Sequence, residues 1–351
     1  MEEILINRHR NFWSNTPGVI LRSQLDFNRE PFRKRIYNEN IKGPFTCEML
    51  DTDWLVAAYV KAYKDRPVIN GDVLEFVQYA FVVPWMEGII GCELYSLGRG
   101  ASMVAHPSDI KTEDLPQHLR EVLAELDDNI WFQKLGDGME GVVKALNGKY
   151  PVSQTLLRGP GDMLGALIGY ENLVTKMLNP ADKDYLHELL DLCSSIWIET
   201  AKVQHKRAGK FAGGYCNAFG IWAPGLTARS QEDIASLLSP RLYTEFLTPY
   251  DVQIANAFEY SSFHMHSGYV ASSYDWRGIS EKSTIKALQV SLDPMGPGID
   301  ALMQTLLAMN SIKPLIIRSM RGEVADAIEQ RIADFPGSVL LTRVDNESLK
   351  N

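Results

Sequence analysis

The chain has 351 residues, 45% of them hydrophobic and 23% charged, which is enough apolar material for a full globular core. Its net charge is −9 and no basic block or stripe occurs, so a nucleic-acid partner is not expected. Cys47, Cys92, Cys193 and Cys216 stand far apart without a CxxC spacing, which points to free thiols in a reducing compartment.

The opening "MEEILINRHRNFW" is charged from its second residue and lacks an apolar h-region, so no signal peptide is expected. No run approaches the roughly 18 apolar residues of a membrane span. The expectation is a soluble, cytoplasmic protein. Residues 1–70 mix charge and aromatics without clear strand signals, and read as helices flanking a core. From Glu75 a rhythm begins. Apolar runs bounded by Gly and Pro predict strands within 75–84, 90–98, 151–161, 215–225, 260–268, 285–294, 312–319 and 337–345.

Helices with explicit start signals lie between them. Asn179 is a cap with Pro180 behind it, and Leu186, Leu189, Leu190, Cys193, Ile196 and Trp197 then form one apolar stripe. Ser239 and Pro240 repeat the design, and Pro249 predicts a kink. "PGIDALMQTLLAMN" and "RGEVADAIEQRIADF" complete the C-terminal series.

Strands alternating with helices predict parallel strands joined by crossovers. The fold expected is α/β: a single (β/α)8 TIM barrel over residues 71–351, with residues 1–70 as an N-terminal helical extension. An open doubly wound sheet is the alternative, but neither GxGxxG nor GxxxxGK[ST] occurs. In a barrel, chemistry sits where strands end. That criterion selects Arg158, Trp222, His264, His266, Asp293, Arg318, Arg343 and Asp345.

His264 and His266 in "FHMHSG" point to one face of an extended strand, because side chains alternate. Paired imidazoles favour zinc or another transition metal, with a carboxylate such as Asp293 or Asp345 completing the set. Two alternatives are contact with a substrate carboxylate and hydrogen bonding to neighbouring loops. Cys216 is either a third, soft ligand or a small buried hydrophobe. Trp222 is a flat wall for a ring-shaped substrate or a packed core residue. Tyr215 is a further hydrogen-bond donor. Arg158, Arg318 and Arg343 together suggest a positive mouth for an anionic substrate, against surface ion pairing. Asp233 either orients a loop or caps the helix before "SP", and capping is the favoured reading.

The stretch "WAPGLTARSQEDIASLLSPRLYTEFLTPYDVQI" (222–254) resembles the uroporphyrinogen decarboxylase superfamily, in which an Asp, then "SP", an aromatic and "EF…P" recur in this order. "GPFT" (43–46), "EGIIGCEL" (87–94), "LLRGPGDMLGALIGYENLVTKMLNPAD" (156–182) and the His-containing strand ending in "SG" stand where that resemblance places them. It implies a (β/α)8 barrel, often a dimer, and two chemistries: decarboxylation of uroporphyrinogen, and zinc-dependent methyl transfer between corrinoid proteins and thiols. The chain departs from both patterns. It has "LRSQLDFNREPFRKRIY" (21–37) in place of "RQAGRY", and Tyr79 or a neighbour in place of the "FSD" aspartate. Where the methyltransferases carry H-x-C…C, it has His264-Met265-His266, and no Cys follows Cys216.

Three functions follow. The first is methyl transfer from a corrinoid carrier protein to a small acceptor at a metal-activated site, with His264, His266 and Asp293 in the chemistry and zinc the first metal to test. The second is cofactor-free decarboxylation of a tetrapyrrole or other polycarboxylate. The third is a non-catalytic barrel that binds a corrinoid or tetrapyrrole.

Overall fold

The computed structural model describes residues 2–26, 30–38, 41, 43–97, 103–107, 109–270 and 272–344. Its central feature is a six-stranded sheet in which every pairing is parallel. In chain order the parallel strands are β1 (Ile20–Leu25), β2 (Val77–Gln78), β3 (Val152–Ser153), β4 (Thr227–Gln231), β5 (Tyr260–His266), β6 (Ala287–Leu292), β7 (Leu315–Ser319) and β8 (Val339–Val344). The sheet runs β1-β8-β7-β6-β5-β4, while β2 and β3 form a separate parallel pair.

Helices make the crossovers, as the alternating pattern predicts. The elements used below are α1 (Glu2–Trp13), α2 (Pro160–Ile168), α3 (Lys183–Ala208), α4 (Pro240–Phe246), α5 (Thr248–Asn256), α6 (Trp276–Lys282), α7 (Ile299–Ile312) and α8 (Gly322–Gln330). Ser239 caps α4 by accepting from the Leu242 N–H at 3.3 Å. The expected kink is a break between α4 and α5, with Pro249 in the first turn of α5. None of the described helices is long and apolar enough to cross a membrane.

The two faces of the sheet differ in kind. Phe263, Met265, Leu288, Val290, Leu315, Ile317, Val339 and Leu341 bury one face against the helices. Each such side chain taken from water contributes roughly 1.5–3 kcal/mol. The opposite face is layered. Near the strand starts, Leu21, Ala287, Ile316 and Leu340 pack with Phe12 and Trp13 of α1. One residue pair further along, the same face turns polar: Ser23, Gln289, Ser291, Arg318 and Thr342. The polar layer is the floor of the site.

Three sequence expectations are corrected. The first 70 residues include β1, which pairs with β8 over six residues and is part of the sheet rather than a flanking helix. Arg22, Ser23 and Gln24 hid it, because its buried Ser23 bonds the Thr342 hydroxyl at 2.9 Å instead of packing apolar surface. The 90–98 stretch yields Glu93–Ser96, which pairs antiparallel with Met103–His106 outside the six-stranded sheet. The 215–225 stretch is an antiparallel hairpin of Tyr215–Cys216 with Trp222–Ala223. The parallel strand comes just after it, as "TARSQ", whose five residues are all buried.

Candidate functional site

β5 delivers both histidines to the polar face. His264 lies opposite Gln289 of β6 and Gln231 of β4, and His266 lies opposite Ser291. The two Nε2 atoms face one another at 3.2 Å. Each ring is fixed from behind. His264 Nδ1–H donates to Gln289 Oε1, and Gln289 in turn donates from Nε2 to Ser291 Oγ at 3.3 Å. His266 Nδ1–H donates to Asp293 Oδ1 at 3.0 Å, and Ser267 steadies Asp293 through its hydroxyl and the Asp293 N–H.

The third member comes from the end of β4. Asp233, His264 and His266 each offer a ligand atom, all within 4.8 Å of one another. Asp233 Oδ1 lies 3.4 Å from His266 Nε2, yet it is a buried oxygen without a hydrogen bond of good geometry among the described residues. Its other oxygen accepts from Gln231 Nε2 at 3.3 Å.

The electrostatics separate the two imidazoles. Burial, reinforced by Arg229 and His266, holds His264 well below the usual histidine range. Burial also works against charge on His266, but the neighbouring carboxylates of Asp233 and Asp293 outweigh it and raise His266 to about 9. Burial opposes charge on Asp233 as well; His266, Arg158 and Arg229 override it and pull the carboxyl below its ordinary value.

Both Nδ1 atoms donate to acceptors, so without an ion the Nε2–H of protonated His266 faces the Nε2 lone pair of neutral His264 at 3.2 Å, and a bound metal ion would take the place of that proton. Such a contact needs a positive species between or beside the nitrogens, either a proton or a metal ion. A tetrahedral zinc with Zn–N bonds of about 2.0–2.1 Å sets adjacent ligand atoms about 3.3 Å apart. Two of the three separations, 3.2 Å and 3.4 Å, match that edge, and all three lie within 4.8 Å. The acceptors behind each ring are the supports that metal-bound histidines commonly have. The residues therefore suit a divalent ion held by two nitrogens and one oxygen, with coordination positions left for a substrate or water.

Arginines line the same face. Arg229 of β4 is buried, donates to Gln231 Oε1 at 2.8 Å, and has no carboxylate within ion-pair distance among the described residues. Burial, then the charge of Arg318, lowers its pKa to about 9. Burial likewise lowers Arg318 to about 10, with Asp293 opposing that shift and Arg33 adding to it.

The other sequence candidates divide. Asp293 stands behind His266 rather than in the ligand triad. Arg158 stays close enough to influence Asp233, but its guanidinium is tied to the fully buried Glu87 at 2.8 Å. Arg343 does not reach the mouth. Its neighbour Thr342 takes the inner face, and alternation sends Arg343 out to Asp326 of α8 at 2.6 Å. Tyr215, Cys216 and Trp222 sit at the opposite end of the sheet. Trp222 accepts from Trp13 Nε1 through its carbonyl, and Trp13 packs on Tyr260, the first residue of β5. Six residue steps of β5 separate that end from His266, about 20 Å. Cys216 is buried there, and burial pushes its thiol up, away from the thiolate a ligand needs. Asp345 lies outside the described residues.

Asp233, Arg229, Gln231 and Gln289 were not singled out for this role from the sequence. Asp233 read as the cap of a helix before "SP", but it is the first residue of the short 3-10 helix Asp233–Leu237, and Glu232 holds the cap position. The available signal was polar residues at every second position, Arg229-x-Gln231-x-Asp233 and Gln289-x-Ser291-x-Asp293, in strands otherwise buried. Neither a protein-family model nor a curated protein sequence matches the chain.

Proposed function

We propose that the protein is a metal-dependent group-transfer enzyme whose ion is held by Asp233, His264 and His266. The observation that carries this reading is the 3.2 Å approach of two histidine Nε2 atoms whose outer nitrogens are both engaged, beside a buried carboxylate oxygen, Asp233 Oδ1, that lies 3.4 Å from one of them. The ion, when bound, acts as a Lewis acid and lowers the pKa of whatever occupies its open positions. Arg229 orients an anionic group of the substrate on the floor of the site, because a buried guanidinium without a carboxylate in ion-pair distance among the described residues gains most from an anion, and Arg318 adds positive charge beside it.

Within this reading we favour methyl transfer from a corrinoid carrier, as the resemblance of residues 222–254 implies. In such a transfer the methyl group would pass to the acceptor as a cation equivalent, its bonding electron pair remaining with the carrier, while the acceptor, bound at the ion that Asp233, His264 and His266 would hold, would release its proton to solvent. Two further proposals place the site. The six-stranded sheet closes through β2 and β3 into a (β/α)8 barrel. The Gln154 amide supports this by donating to Arg229 O at 3.1 Å and accepting from Arg229 N at 2.9 Å, while Asp72 N donates to Arg22 O at 2.8 Å on the other edge. The enzyme works in the cytoplasm.

Metal analysis of protein purified without chelator tests the reading, followed by Co(II) titration of the wild type and His264→Ala. Stoichiometric metal in the wild type and none in the variant supports it; no metal in either refutes it. Methylcobalamin with a small thiol acceptor then tests the transfer, which must depend on the ion. A second reading, metal-free decarboxylation of a polycarboxylate, is favoured by the two inner arginines, and turnover that survives complete metal removal would select it.

A further inference from the structure

We propose that Asp162 and Glu232 are positioning residues for Asp233, two carboxylates that clasp each other's backbone and so fix where the third ligand stands. This inference rests on the metal reading above. Asp162 lies in the first turn of α2, and both its oxygens reach across to the segment after β4. Oδ2 accepts from the Asp233 N–H at 2.8 Å and Oδ1 from the Ile234 N–H at 2.8 Å. Glu232 reaches the other way. Oε1 accepts from the Gly161 N–H at 3.1 Å and Oε2 from the Asp162 N–H at 3.2 Å. Four oxygens thus hold four N–H groups across two loops that are about 70 residues apart in sequence.

The clasp is buried and closely built. Asp162 and Glu232 are both essentially inaccessible. A Cβ at Gly159 would lie 2.2 Å from Gln231 O and 2.3 Å from Glu232 Oε1; one at Gly161 would lie 2.7 Å from Glu232 Oε2. The "RGPGD" run therefore uses both glycines to let the Glu232 carboxylate against the backbone. Neither acid is needed to fill space, and two buried carboxylates side by side carry a desolvation cost that an apolar pair avoids. What they supply is position. The Asp233 backbone is gripped through its own N–H, one residue from Glu232, and its carboxylate emerges toward the histidines from that grip.

The test is a double-mutant cycle on Co(II) affinity and the visible spectrum of the bound ion. In Asp162→Asn the amide keeps one acceptor but turns an NH2 group toward the second N–H, which loosens the grip without removing volume. The expected result is a 10–100-fold loss of Co(II) affinity with an altered visible spectrum. In the Asp233→Ala background the same substitution should change affinity less than about twofold, since nothing is left to position. An equal loss in both backgrounds, or no loss in the wild-type background, overturns the proposal while leaving the metal reading intact. A wild type that binds no Co(II) sinks the metal reading, and the positioning role with it. Should Asp162→Asn lack a cooperative thermal transition, hydrogen exchange on the wild type decides. Co(II) should slow exchange at the Asp233 and Ile234 amides, and unchanged exchange there overturns the role.

Discussion

Asp293→Asn probes the support behind His266 without touching the ligand set. The wild-type contact is a 3.0 Å hydrogen bond from His266 Nδ1–H to Asp293 Oδ1, with Ser267 holding the same carboxylate. Asparagine can present its carbonyl oxygen at the same place, so the ring keeps its orientation and loses only the negative partner. Supports of this kind are worth about 10–100-fold in metal affinity, or roughly 1.4–2.7 kcal/mol. Gln289→Leu makes the matching cut behind His264 and goes further, because it leaves a buried Nδ1–H without an acceptor. Its loss should equal or exceed that of Asp293→Asn. Competition against a chromophoric chelator, at fixed pH and salt, measures both. If either variant folds normally and keeps wild-type affinity, the outer nitrogens do not tune the site, and the 3.2 Å approach of the two rings loses its meaning as a ligand pair.

Three further outcomes follow from the same contacts. Arg229→Met removes a buried charge that lacks a carboxylate partner among the described residues. It should raise the thermal midpoint, by an amount corresponding to about 1–4 kcal/mol, while abolishing any stabilisation by inorganic phosphate or citrate; a destabilised variant that still responds to the anions would contradict the assignment. His9 accepts the Trp222 N–H at Nδ1 and donates from Nε2 to Asp72 O, and burial lowers its pKa from 6.5 to about 4. Between those values the unfolded chain binds more protons, so stability rises with pH. The contribution of about 3 kcal/mol is complete above pH 6.5 and lost as pH falls through about 4. Denaturant titrations at pH 7 and pH 4 should show that loss in the wild type and much less of it in His9→Gln. Gly161→Ala forces a methyl group to within 2.7 Å of Glu232 Oε2 and 2.9 Å of Ile234 and Leu247. It should cost about 1–3 kcal/mol by calorimetry, and an unchanged thermal midpoint would mean that the clasp is slack.

The C-terminal half of the fold was legible because each strand there is an apolar run between Gly or Pro signals. β5 to β8 appear where the pattern placed them. β1 and β4 were not, for one shared reason. Their inner residues, Ser23 in β1 and Arg229 and Gln231 in β4, face other polar groups, so alternation reads as loop. The pair of histidines was visible because two histidines two apart in a strand must share a face. Their third partner was not. Asp233 is brought in by a turn after β4 whose geometry depends on Asp162, 71 residues earlier. The Trp222 and Cys216 candidates failed on strand polarity: a hairpin before a parallel strand places its residues at the strand's starting end, opposite the site.

On the proposed reading, a ligand set of two imidazoles and one carboxylate gives the ion a different character from a thiolate set. Thiolates carry charge to the ion and leave it a softer, weaker Lewis acid. In the Asp233–His264–His266 set only the carboxylate is anionic, so a divalent ion keeps a net charge of about +1 from its three protein ligands. Arg229 and Arg318 add positive charge on the same inner face, and Asp293 sits one layer behind. A substrate that approaches as an anion is then held at two points, by the ion and by the arginines. A neutral thiol has only the first. On the proposed reading, the acceptor is therefore one whose reactive atom and anionic group are separated by the distance between ion and guanidinium, and shortening or neutralising that group should weaken binding more than altering the rest of the molecule.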